Sequence, residues 1–162
     1  MKLNKEYNFE NFKVKKENKQ AFILSQDIVK EPGKKYSPLF ISGNQPERIH
    51  LLNAIANALE ESNHKVSNNI NEISNDTNIL IIDKIENLSS KDENKLTKII
   101  KDFISNKKQI ILGSDKQLDE LNITEKLKET ILWGISANIE EEKIKTNNAK
   151  TDIELVNYDW LK

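Results

Sequence analysis

The chain has 162 residues, enough for one domain with a real core and too few for two generous ones. Lys+Arg 25 against Asp+Glu 26 leaves a net charge of −1, which excludes a protein that coats phosphate over its whole surface; nucleic-acid contact would need a local patch. With no cysteine and two histidines, disulfides, thiolate metal sites and a cysteine nucleophile are excluded, and no metal centre is expected.

Residues 1–16 set Tyr7, Phe9 and Phe12 among lysines, glutamates and asparagines, the pattern of an arm anchored by its aromatics. From Glu17 to Lys30, Ala21, Leu24 and Ile28 with their neighbours fit one face of a helix, which Pro32-Gly33 stops. Leu39-Phe40-Ile41 is a short apolar run opening into Ser42-Gly43-Asn44-Gln45-Pro46, read as a buried strand leading to a turn. Pro46 suits the first turn of a second helix, where its missing N–H costs nothing, and Leu51 to Leu59 make that helix apolar on most of its circumference.

Residues 61–78 are polar and hold at most one short strand. Ile79-Leu80-Ile81-Ile82 is the most strand-like run and ends at Asp83. Ser90 and Glu93 form an apparent capping box for a helix carrying Leu96, Ile99, Ile100, Phe103 and Ile104. Ile110-Ile111-Leu112 predicts another strand, ending at Gly113-Ser114-Asp115. A short helix over 124–130 is expected before a last strand over 131–135, and after Asn138 the chain becomes a polar tail, taken as 141–162. Apolar strands without alternation, separated by helices, predict an α/β fold: a mostly parallel central sheet with helices on both faces and ligands beyond the carboxyl ends of the strands.

Several segments together resemble the AAA+ domain of the bacterial replication initiator DnaA and its shorter Hda-type relatives. Leu3 to Phe12 is similar to the family's entry segment, and Asn18 falls where the family carries Asn. Pro32 to Ile41 resembles the approach to the phosphate loop, and His50 to Ile55 the start of the helix behind it. Ile79 to Asp83 with Ile85 resembles the Walker B strand, Lys108 to Asp115 the sensor-1 strand, and Trp133-Gly134 the final strand. The matches run in order over roughly residues 3–140, which implies a P-loop NTPase fold reduced to the AAA+ base subdomain over 17–140, after the arm.

The departures from that pattern carry the functional expectation. A working phosphate loop reads G-x-x-x-x-G-K-[ST], with backbone N–H groups around the phosphates, Lys for charge and a hydroxyl for magnesium. Gly43-Asn44-Gln45-Pro46-Glu47-Arg48-Ile49-His50 keeps only the first glycine and is one residue short. Pro46 deletes a donor, Glu47 places a carboxylate in the helix's first turn, and Ile49 offers no hydroxyl. Asp83 stands at the magnesium-associated position, but Lys84 replaces the acid beside it and Thr130 stands where the arginine finger falls. The resemblance thus implies an inactive ATPase-like domain with no cofactor, whose vestigial pocket is Gly43, Asn44, Arg48, Asp83, Ser114 and Asp115.

The shortened 61–78 stretch lacks most of the family's insertion for single-stranded DNA, and little chain remains for a lid. The expected function is a non-catalytic, cytoplasmic adaptor or regulator of chromosomal replication, without a membrane span or direct DNA binding, touching the DnaA initiator or another AAA+ subunit. The alternatives are a residual ATP- or ADP-binding protein and a single-stranded DNA binder using Lys13, Lys15, Lys16 and Lys19. For single residues the plainer readings are a solvated Arg48, a packed His50, an Asp83 bonded to backbone or Ser114, a turn-capping Ser114-Asp115, a solvated lysine face and a core or edge Trp133. Tyr158 and Trp160 suit docking of the tail.

Overall fold

The computed structural model describes residues 3–140. Helix α1 (Lys19–Lys30) turns Ala21, Leu24, Ser25 and Ile28 inward, the i, i+3, i+4, i+7 stripe of a half-buried helix. It begins two residues later than predicted, because buried Asn18 takes the N-cap position. Gly33 follows at φ +82°, where a Cβ would lie 2.0 Å from the Lys107 carbonyl oxygen, so both the left-handed backbone and the close approach require glycine.

Strand β1 (Leu39–Ser42) leads into α2 (Gln45–Glu61), β2 (Val66–Ser67), β3 (Ile79–Ile82), α3 (Ser90–Ser105), β4 (Gln109–Ser114), α4 (Glu125–Leu132) and β5 (Ile135–Asn138). The five strands form one sheet in the order β2-β3-β4-β1-β5, with every adjacent pair parallel. Alternate residues serve opposite layers. Leu39 and Ile41 join α1 and α2 in one apolar cluster, while Phe40 joins α3 and α4 in the other. Each central strand is therefore buried on both faces, which is why its sequence shows no polar alternation.

The aromatic rings of Tyr7, Phe9 and Phe12 pack against residues of α1 and α2. Phe12 stacks on Phe22 at 5.6 Å, Phe9 meets the same ring edge-on, and Tyr7 stacks on His50 at 4.8 Å. His50 Nε2 lies 2.9 Å from the Asn8 carbonyl, so this histidine is a packing residue of the arm.

Three local expectations are corrected. The last strand is Ile135–Asn138, because α4 continues through Ile131 and Leu132: Thr124 caps its start, and Leu127 and Ile131, four apart, both point into the core. Trp133 is not a core residue but 58% exposed, just past the end of that helix. The cap of α3 is Ser89, whose hydroxyl accepts the Asp92 N–H at 3.2 Å. Glu93 turns inward and accepts the Thr124 N–H at 3.2 Å, joining α3 to the start of α4, so it is not available to a capping box at Ser90. No helix among the described residues is long and apolar enough to cross a membrane.

Candidate functional site

The carboxyl ends of β1, β3 and β4 lie side by side, and each delivers one acceptor to the same point: the Gly43 carbonyl, the Asp83 carboxylate and the Asp115 carboxylate. Arg48 arrives there from the fourth position of α2, whose first turn closes with its amide on the Asn44 carbonyl at 2.9 Å. Its guanidinium forks onto Asp83, Nε to Oδ1 at 2.7 Å and Nη2 to Oδ2 at 3.2 Å. Nη1 donates to the Gly43 carbonyl and to Asp115 Oδ1, both at 2.7 Å.

Arg48 is 0% exposed and the Asp83 side chain 4%, while Asp115 is 49% exposed. Burial by itself lowers the arginine pKa, but the hydrogen bonds and charges of Asp83 and Asp115 outweigh it and hold the pKa above its ordinary value. The guanidinium is a permanent cation, and four of its five N–H donors are engaged inside the protein.

The plainer readings of Arg48 and Asp83 are both overturned. Arg48 is not solvated, and among the described residues Asp83 bonds neither Ser114 nor neighbouring backbone, because the buried guanidinium is the stronger partner for a carboxylate. Ser114 does form a turn, its hydroxyl accepting the Lys116 N–H at 3.0 Å, and Asp115 leaves that turn to pair with Arg48. Asn44 is the N-cap residue of α2, exposed, and its side chain caps nothing. Thr130 is buried and bonds the Leu127 carbonyl within its own helix, so the position aligned with the finger faces the core.

Two contributors were not apparent from the sequence. Gly113 makes room for the pair, since a Cβ there would lie 2.2 Å from Asp83 Oδ1 and 3.2 Å from Arg48 Cδ. Glu86, in the short turn Ile85–Asn87, accepts the Asp115 N–H at 3.0 Å, and its other oxygen is buried without a hydrogen-bond partner among the described residues. The only available signal for Glu86 was its place three residues beyond Asp83. Among the described residues, no group of three or more His, Cys, Asp or Glu side chains is arranged to hold a metal ion.

A second polar cluster covers the start of α2. Glu47 accepts from Lys15 Nζ at 2.7 Å and from Asn18 Nδ2 at 3.0 Å, so one member of the exposed lysine face formed by Lys13, Lys15, Lys16 and Lys19 is also held in a specific pair. Burial pushes the Glu47 carboxyl up, but the Lys15 and Asn18 hydrogen bonds with the charges of Lys15 and Lys13 bring it below its ordinary 4.5. A depressed carboxyl stabilises the fold above its unfolded pKa and loses that contribution as pH falls through the folded value. The melting-temperature difference between the native chain and Glu47→Gln is therefore expected to be full above pH 4.5 and to vanish in stronger acid, a trend readable by calorimetry over a pH series.

Asp115 sits at the wet rim, where solvent and salt screen its charge. Asp115→Ala is expected to cost about 1 kcal/mol or less in urea unfolding.

Residues 3–70 and 65–138 match the family model described as the bacterial DnaA ATPase domain. The chromosomal replication initiator protein DnaA of Streptococcus mutans is 32% identical over an alignment of 189 residues, covering 98% of this chain and 42% of that protein. DnaA of Streptococcus pyogenes is 32% identical over 187 residues, again with 98% and 42% covered. The chain thus spans less than half the length of these curated relatives. Among solved structures, AMPPCP-bound DnaA from Aquifex aeolicus superposes with a TM-score of 0.78 at 25% identity, covering 97% of this chain and 55% of that one. Domain III of Thermotoga maritima DnaA gives 0.76 at 25% identity, covering 97% and 77%.

Proposed function

We propose that this chain, which belongs to the bacterial DnaA ATPase-domain family, acts in chromosomal replication as a non-catalytic adaptor or regulator, by protein–protein contact in the cytoplasm. The observation that carries this reading is the occupation of the strand ends by Arg48. A magnesium–triphosphate needs free backbone N–H groups around the phosphates, a free carboxylate near the metal and a hydroxyl on it. At this site both oxygens of Asp83 are held by the guanidinium, and the Gly43 carbonyl is held as well. Pro46 has no N–H, Glu47 sets a carboxylate in the first turn of α2, and Ile49 has no hydroxyl. The donor set does not fit the group.

A cation built into the chain draws three strand ends onto one centre. The fold is then held without a nucleotide cycle, which suits a protein that offers a constant surface. The partner we assign is a replication protein, the DnaA initiator or another AAA+ subunit.

Calorimetric titration of the full chain tests this with ATP and ADP, each with and without magnesium, and separately with the initiator of the same cell. Heat is expected from the initiator alone. Micromolar affinity for either nucleotide would overturn the reading and favour the nucleotide-binding alternative.

A further inference from the structure

A cavity of about 630 Å³ opens at the far edge of the sheet, and neither Arg48 nor Asp83 lines it. Its walls come from both layers, Glu17 before α1 and Gln20 within it on one side and Lys128 and Leu132 of α4 on the other. Helices on opposite faces of a sheet can share a cavity only around the sheet's rim, and Ser42, Gln117 and Asn138 in its lining set this one at the carboxyl ends of the strands beside β5.

Strand β5 pairs with β1 alone among the described residues. The amides of Ile135 and Ile139 donate inward, to the Pro38 and Ser42 carbonyls. In a parallel ladder the alternate residues face the other way, so the backbone groups of Ser136 and Asn138 point outward along the open edge. Their side chains line the cavity, on the face of the sheet that also carries Phe40. An unpaired strand edge is a template for another strand, and natural proteins commonly blunt it. Here it is flanked by apolar surface: Leu132 is 66% exposed, Trp133 follows it, and Ile23, one turn along α1 from Gln20, is exposed too. The rim is acidic, with Glu17, Asp119 and Glu140 against Lys128.

We propose that the β5 edge receives an extended segment of a partner chain in which apolar residues are interleaved with lysine or arginine. Its backbone pairs with Ser136 and Asn138, its apolar side chains cover Leu132 and the neighbouring Trp133, and its cations meet the carboxylates of the rim. Main-chain pairing supplies affinity in such strand addition, and the alternating side chains supply specificity. The site names the contact surface of the adaptor reading above, and it is read by peptide binding, so that either can fail while the other stands.

The test uses the full chain and a synthetic octapeptide alternating lysine with valine or leucine, followed by amide exchange in NMR spectra and by Trp133 fluorescence in a Trp160→Phe variant. The peptide is expected to slow exchange at Ser136 and Asn138 roughly tenfold. The same peptide with glutamate for lysine is expected to bind roughly tenfold more weakly. Methylating the peptide's backbone nitrogens along one edge is expected to abolish binding, and this arm leaves the protein itself untouched. Equal binding of the two charge versions, indifference to methylation, or no binding overturns the proposal. So does slow exchange at Ser136 and Asn138 before peptide is added, since this chain's own further residues or a second copy would then hold the edge.

Discussion

Replacing Arg48 with alanine is expected to remove about 3–5 kcal/mol of folding stability, measured as a shift of the urea midpoint at unchanged slope. The reason is the residue left behind. Asp83 is 4% exposed, both its oxygens are bonded to the guanidinium, and it accepts no other hydrogen bond in the described structure. Without Arg48 a buried carboxylate faces the Gly43 carbonyl and the Asp115 carboxylate, and must either take up a proton or admit water. Arg48→Lys is expected to recover only part of the loss, because one ammonium cannot fork onto Asp83 while also reaching the acceptors now served by Nη1. Removing both partners, Arg48→Met with Asp83→Leu, is expected to cost far less than Arg48→Ala alone, since no charge is then stranded. A loss under about 1 kcal/mol for Arg48→Ala would mean that water reaches Asp83 and screens the pair like a surface bridge.

The parts of this molecule legible in its sequence are those fixed by short-range rules. Leu39 to Ile41, Ile79 to Ile82 and Ile110 to Leu112 are short apolar runs between polar breaks, and in a sheet covered on both faces such runs can only be central strands. The corrections arise where a residue's role depends on distant partners. Ile131 and Leu132 look like the start of a strand, but period alone does not separate a short buried strand from the last turn of a helix; the exposure of Leu132 settles it only once α4 is seen. Glu93 suits a capping box until α4 places the Thr124 amide beside it. Arg48 is the extreme case. Its acceptors lie 5, 35 and 67 residues away, and the local pattern around it, a broken phosphate loop, shows what is lost and not what fills the gap.

Gly113 shows how narrowly the strand ends are fitted around that guanidinium. Its backbone lies in a region any residue adopts, so the constraint is space alone: a methyl group would press 2.2 Å from Asp83 Oδ1 and 3.0 Å from Leu52 Cδ1. A carboxylate on a free side chain would swing aside, but this one is held by two hydrogen bonds from Arg48. Gly113→Ala is therefore expected to cost about 1–3 kcal/mol, the range of an overpacked core, and to do so by loosening the Arg48 fork. The mechanism has a specific signature. In an Asp83→Ala background the oxygen that the methyl meets is gone, and only the milder approach to Leu52 and to Arg48 Cδ remains. A double-mutant cycle over Gly113→Ala and Asp83→Ala should then show strong coupling, about 1 kcal/mol or more, with the double variant more stable than the summed losses predict. Additive losses would place the strain elsewhere in β4 and separate the glycine from the ion pair.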